Sequence, residues 1–181
     1  MSTNDQRDEI SLIKACSNGD NKAFKKIYDQ HSGVMYSICL RYMKNPDEAQ
    51  DALQEGFIKV YKNIGKFKFT GSFEGWMKRI FVNTSIEQIR KRKVHLDVTE
   101  INTTDLKLVD KIETGSLDAE KMMLLVQQLP EGYRTVFNMF VVDGYSHKEI
   151  SQHLDINENT SKSQLFKARK QLQVWLNGWF E

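Results

Sequence analysis

The chain reads as an all-α protein of two small helical domains joined by a flexible linker, the C-terminal one with a helix-turn-helix. Three observations carry this reading. Apolar residues recur at helical spacing in almost every segment. Only 2 prolines and 10 glycines interrupt 181 residues. No segment shows the alternation of a half-buried strand. A hydrophobic share of 40% is enough for compact helical cores, and a 28% charged share implies a soluble protein.

Ile10 to Ser17 is predicted as a short helix closed by Asn18 and Gly19. Asp20 is placed to cap a longer helix with Phe24, Ile27, Tyr28, His31, Met35, Ile38, Cys39 and Tyr42 on one face. That stripe is core, with His31 a packed or hydrogen-bonded histidine. Asn45, Pro46 and Glu48 supply an N-cap, a proline at the first helical position and a capping-box acid. The helix they start is expected to bury Ala49, Ala52, Leu53, Phe57, Val60, Tyr61 and Ile64, with Asp51, Gln54 and Glu55 on its other face.

Gly65 to Gly71 is expected to be a loop in which Lys66, Phe67, Lys68 and Phe69 alternate charge and ring. That composition suits stacked single-stranded bases along a tracked phosphate backbone. It also suits phenylalanines tucked into a core. Ser72 caps a helix with Phe73, Trp76, Met77, Ile80, Phe81 and Thr84 on one face and Lys78, Arg79 and Asn83 nearby, ending in Arg90 to Lys93. The terminal basic cluster complements the helix dipole and also fits phosphate contacts.

Residues 94–116 lack a helical period and are acidic, which predicts a tether between an N-terminal domain (1–93) and a C-terminal domain (117–181). Residues 1–93 hold 17 Lys and Arg against 11 Asp and Glu, a balance of +6, whereas residues 94–120 hold 2 against 7, a balance of −5. Such segregation suits two nucleic-acid-facing domains.

Asp118 to Leu129 resumes as a helix. Pro130 and Glu131 open the next, with Tyr133, Val136, Phe137, Phe140 and Val141 on one face, ended by Asp143 and Gly144. Ser146 with Glu149 forms a capping box for a short helix that buries Ile150 and Leu154. Leu154 to Asn157 is the turn, and Asn157 caps a last helix with Leu165, Ala168 and Leu172 inward. Lys162, Ser163, Phe166, Lys167 and Lys170 are left outward, with Arg169 adding to the charge. A basic helix after a capped helix and a tight turn is the geometry that enters a DNA major groove. A solvated face has little use for Phe166.

Enzyme chemistry finds no foothold. His31, His95, His147 and His153 make no metal spacing with carboxylates or with Cys16 and Cys39, and neither a phosphate-binding glycine loop nor a nucleophile elbow is present. No metal or cofactor is expected. The two cysteines read as small buried hydrophobes. No apolar run reaches membrane-spanning length and the N-terminus is polar, so a cytoplasmic protein without membrane insertion is expected. A stand-alone helix-turn-helix regulator also explains the C-terminal half, though not the basic-aromatic loop before Trp76.

The order AFKKIYDQH, DEAQDALQEGFIKVYKNI, FKFTGSFEGWMKRIFVNTSIEQIRKRK, linker, LPEGYRTVFNMFVVDGYSHKEIS and helix-turn-helix strongly resembles the extracytoplasmic-function sigma factors of bacteria over nearly the whole chain. The halves resemble that family's regions 2 and 4. The resemblance implies a factor that binds the β and β′ subunits of core RNA polymerase, directs it to promoter DNA, assists melting and often answers to an anti-sigma factor. It places the polymerase contact on Asp51, Gln54 and Glu55. It places capture of a flipped −10 base on Lys66, Phe67, Lys68, Thr70, Ser72, Arg79 and Asn83. The −35 contacts fall on Lys162, Ser163, Phe166, Lys167, Arg169 and Lys170. Ser161 stands where the family usually has valine, and Gln164 and Lys167 where arginine is common; lysine cannot make the two-pronged contact to guanine.

Overall fold

The computed structural model describes residues 3–96 and 119–177, and no strand occurs among them. The chain divides into two units, residues 1–85 and 86–181, with the division falling inside α4. The helices are α1 (Thr3–Ser17), α2 (Asn21–Tyr42), α3 (Pro46–Asn63), α4 (Phe73–Leu96), α5 (Ala119–Gln128), α6 (Glu131–Phe137), α7 (His147–Leu154) and α8 (Glu158–Asn177). None is long and apolar enough to cross a membrane among the described residues.

In the first unit the caps form as the side chains dictate. Asp20 accepts from the backbone N–H groups of Lys22 (2.8 Å) and Ala23 (3.2 Å) and starts α2. Asn45 accepts from the Glu48 N–H at 2.8 Å, with Pro46 in the first turn of α3. Glu48 accepts from the Lys44 N–H at 3.3 Å and from the Asn45 side-chain amide at 3.4 Å. Helix α1 begins at Thr3, well before the predicted Ile10.

Aromatic rings tie the helices of this unit together around a largely aliphatic core. Phe57 of α3 meets Tyr28 of α2 at 4.6 Å and Phe81 of α4 at 5.0 Å between ring centroids. The α3–α4 approach depends on Gly56: a Cβ there would lie 2.3 Å from the Phe81 ring. Tyr61, expected inside, is 41% exposed; its ring packs edge-on against Phe24 at the rim. Both cysteines are buried, as expected, and burial pushes the Cys39 thiol up to about 11.

Helix α4 continues through Leu96, three residues beyond the expected end. The rest of the predicted linker lies outside the described residues.

In the second unit, Leu125, Val126, Leu129, Ala168 and Leu172 form a core that draws α5 and α8 together. Buried Arg134 donates to the Gln127 carbonyl at 3.1 Å, satisfying an acceptor in the last turn of α5. The face predicted for the following helix is only partly right. Val136 is buried, but so are Arg134, Thr135, Asn138 and Met139, while Val141 is 47% exposed. Val141 is turned outward by a π-helical turn at Asn138–Val142. A π turn inserts an extra residue and rotates everything after it off the α-helical stripe.

Candidate functional site

The helix-turn-helix is built by local capping. Ser146 and Glu149 form the reciprocal capping box of α7. Asp155 takes the left-handed conformation (φ 54°) that turns the chain, and Asn157 accepts from the Thr160 N–H at 2.7 Å to start α8. Leu165, Ala168 and Leu172 are buried, as their spacing predicts. The orientation of α8 is therefore fixed by its inner face and by two caps.

The outer face of α8 brings most of the predicted duplex-contacting residues together. Lys162, Ser163, Phe166, Lys167 and Lys170 are all exposed. Phe166 stands out at 67% exposure among these cations. Lys162 makes a 3.7 Å ion pair with Glu158 one turn back, and the Ser163 hydroxyl donates to the Thr160 carbonyl at 3.0 Å. Arg169 departs from the group: its guanidinium lies over the Phe140 ring, 5.9 Å from the centroid.

The segment between α3 and α4 is an aromatic ladder. It opens with a 3-10 turn at Ile64–Lys66, so the irregular part is shorter than predicted. Phe67 is half-buried against Phe73 (5.3 Å) and Trp76 (5.6 Å), while Phe69 leans on Phe67 at 5.0 Å and is 44% exposed. Phe69 has φ 56°, a conformation a bulky residue adopts only at a cost of about 1–3 kcal/mol. One predicted phenylalanine thus anchors the segment and the other is displayed. Lys66, Lys68, Thr70, Ser72 and Arg79 are exposed around it; Lys66 donates to Asn63 at 2.9 Å and Ser72 accepts from the Gly75 N–H at 3.2 Å.

Asn83 is set apart. At about 1.5 Å of rise per residue it lies roughly 16 Å along α4 from Ser72. It is half-buried, and its Oδ1 is buried with no hydrogen-bond partner. An orphaned buried acceptor costs about 1–3 kcal/mol.

On α3, Asp51 and Gln54 are exposed, and Glu55 is half-buried in a 3.4 Å ion pair with Lys59. Gln54 lines a groove with Asn21, Phe24, Tyr28, Phe57, Ile58 and Tyr61. Ile58 is 53% exposed. The sequence reading missed this apolar margin, although Ile58 and Tyr61 stand four and seven residues after Gln54, on its own helical face. No group of His, Cys, Asp and Glu among the described residues could hold a metal ion.

A helical protein of two units, the second ending in a capped helix-turn-helix with a basic outer face, is a DNA-binding protein. Comparison with known proteins narrows the class. The sigma-70 region 2 family matches residues 27–94, and the sigma-70 region 4 family matches residues 119–172. The chain is 34% identical over 176 residues to the ECF RNA polymerase sigma factor SigW of Bacillus subtilis (strain 168), covering 91% of this chain and 94% of that protein. It is 27% identical to the RNA polymerase sigma-H factor of Pseudomonas aeruginosa, covering 91% and 92%. Among solved structures, the sigma factor RpoE from Bartonella quintana, crystallised with the anti-sigma factor NepR, shares the fold at a TM-score of 0.54 and 20% identity, over 86% of this chain and 98% of that one. The chain belongs to the extracytoplasmic-function family of RNA polymerase sigma factors. It is a transcription initiation factor that directs the polymerase to promoters.

Proposed function

We propose that the two halves divide the work of promoter opening. Residues 1–93 engage core polymerase and the −10 element, residues 117–181 read the −35 element as duplex, and residues 94–116 tether them. The observation that carries this division is the contrast between two surfaces. Exposed Phe166 and the lysines of α8 stand on an N-capped helix of the kind that enters a major groove. The Phe67 and Phe69 ladder is irregular, aromatic and flanked by lysines, which suits an unstacked strand.

On α3, Asp51, Gln54 and Glu55 meet the β′ and β subunits, with Ile58 and Tyr61 as the apolar part of the same face. A polar rim around a displayed apolar strip is the usual make-up of a protein interface. The −10 contacts are Lys66, Phe67, Lys68, Thr70, Ser72, Arg79 and Asn83. Unstacking a base costs a few kcal/mol. The displayed ring of Phe69 offsets part of it by stacking. The Asn83 amide rotates outward to pair a base edge, which also ends the isolation of its buried oxygen. The −35 contacts are Lys162, Ser163, Phe166, Lys167 and Lys170, with Arg169 at the margin. The protein acts in the cytoplasm without catalytic chemistry of its own, and an anti-sigma factor holds it until released, as the co-crystallised relative suggests.

Permanganate reactivity of unpaired thymines tests the division. Asn83→Ala holoenzyme is expected to bind promoter DNA in the closed form and to show reduced reactivity near the start site. Normal reactivity would remove Asn83 from strand capture.

A further inference from the structure

The helix-turn-helix contains a cluster that the outward lysines do not account for. His147 opens α7, half-buried, with its Nδ1 2.9 Å from the Ser161 hydroxyl. Ser161 is fully buried in α8. The imidazole stacks on Phe140 at 4.5 Å and 24°, and the Arg169 guanidinium lies over the same Phe140 ring. From α8, Lys162, Glu158 and Arg169 act on the histidine, whereas the π turn presents only the uncharged Phe140 ring. Glu158 is the one acid among these groups, and it is already paired with Lys162.

Two permanent cations and a histidine therefore share one corner, with Nδ1 engaged and Nε2 left over. We propose that His147, Arg169 and Lys162 form a seat for one DNA backbone phosphate beside the recognition helix, and that filling the seat places a proton on His147. This rests on the duplex-reading role of α8 and adds a ligand to it. An imidazolium Nε2–H, a guanidinium and an ammonium are all strong donors to a phosphate oxygen. The first helix of such a motif crosses the backbone, where a phosphate is within reach.

Ser161 makes the change of charge tolerable. A hydroxyl donates to the bare Nδ1 of the neutral ring and accepts from the Nδ1–H of the charged one. The ring keeps its position in both states. Valine at 161, common in the family, would leave Nδ1 without a partner.

The direction of the linkage follows. Burial, then the charge of Lys162, hold the unliganded imidazole below the ordinary histidine range despite Glu158, with Arg169 acting in the same sense as Lys162, so the free protein carries a neutral ring at pH 7. A phosphate beside it favours the charged ring, so binding takes up a proton and tightens as pH falls. One proton gives at most about a tenfold change in affinity per pH unit.

The test titrates the full chain with a −35 duplex from pH 8 to pH 6 at constant ionic strength. Affinity is expected to rise several-fold toward pH 6, and the His147→Asn protein to give a flat profile near the value of the unaltered protein at pH 8. A series of duplexes, each with one phosphate replaced by an uncharged methylphosphonate, uses the unaltered protein and does not depend on the variant folding. One position in that series should abolish the pH dependence. A pH dependence that persists in His147→Asn, or that no methylphosphonate removes, overturns the seat. Failure to distinguish the −35 duplex from unrelated DNA at every pH would overturn the recognition-helix role of α8, and the seat with it.

Discussion

Replacing Gly56 by alanine should destabilise the first unit, and the structure sets the size of the effect. The added Cβ would lie 2.3 Å from Cε1 and 2.5 Å from Cδ1 of Phe81. The ring cannot step aside, because Phe81 has no exposed surface and packs edge-on against Phe57 at 5.0 Å. Forcing an extra methyl into a filled core costs about 1–3 kcal/mol. Alanine returns up to about 1 kcal/mol in helix propensity over glycine. A 2.3 Å approach to a fully buried ring puts the cost at the upper end, so the net loss should be about 2 kcal/mol, a fall of about 8 °C or more in the melting temperature of a unit this size. Calorimetry and urea titration on the full chain would measure it. The decisive arm is the double variant Gly56→Ala with Phe81→Leu. Leucine removes two of the three clashing atoms, Cε1 and Cζ, so the pair should cost less than the sum of the single losses by more than about 0.5 kcal/mol. Additive losses, or an alanine variant as stable as the parent, would refute a close α3–α4 crossing at this glycine.

Other outcomes follow from the same geometry. Asn157→Ala removes the acceptor for the Thr160 N–H and should lower the stability of the second unit by about 1 kcal/mol, read as an earlier melt that leaves the first unit unchanged. Lys167→Ala should either lower duplex affinity evenly across sequences and reduce the salt slope by about one, marking a phosphate contact, or relax preference at a single promoter position, marking a base contact. Cys39, buried with its thiol pushed up to about 11, should resist alkylation at pH 8 in the native protein and react once urea unfolds the first unit.

The elements that local chemistry decides were legible before the structure. Asp20, Asn45, Ser146 and Asn157 all cap where their side chains can reach an N–H three residues on, a signal written in a few consecutive residues. The inner face of α8 was equally plain, because Leu165, Ala168 and Leu172 keep one helical period. Features set by contacts across elements were not. The π turn at Asn138–Val142 leaves no local mark, and it displaced Val141 from the face its spacing suggested. Tyr61 looked like core, yet its position beside Phe24 leaves its edge in solvent. Phe67 and Phe69 are alike in sequence and separate only when Phe73 and Trp76 claim the first. Ser161 was visible as an oddity, but its partner His147 lies 14 residues away.

A promoter-directing initiation factor turns core polymerase into a promoter-specific enzyme. Run-off transcription from genomic templates, with core polymerase alone and with the protein added, tests it most directly. Discrete new transcripts that require the protein are expected. These transcripts should fall sharply with Gln54→Ala combined with Glu55→Lys, although that variant keeps its helicity. Templates as silent with the protein as with core polymerase alone would contradict it.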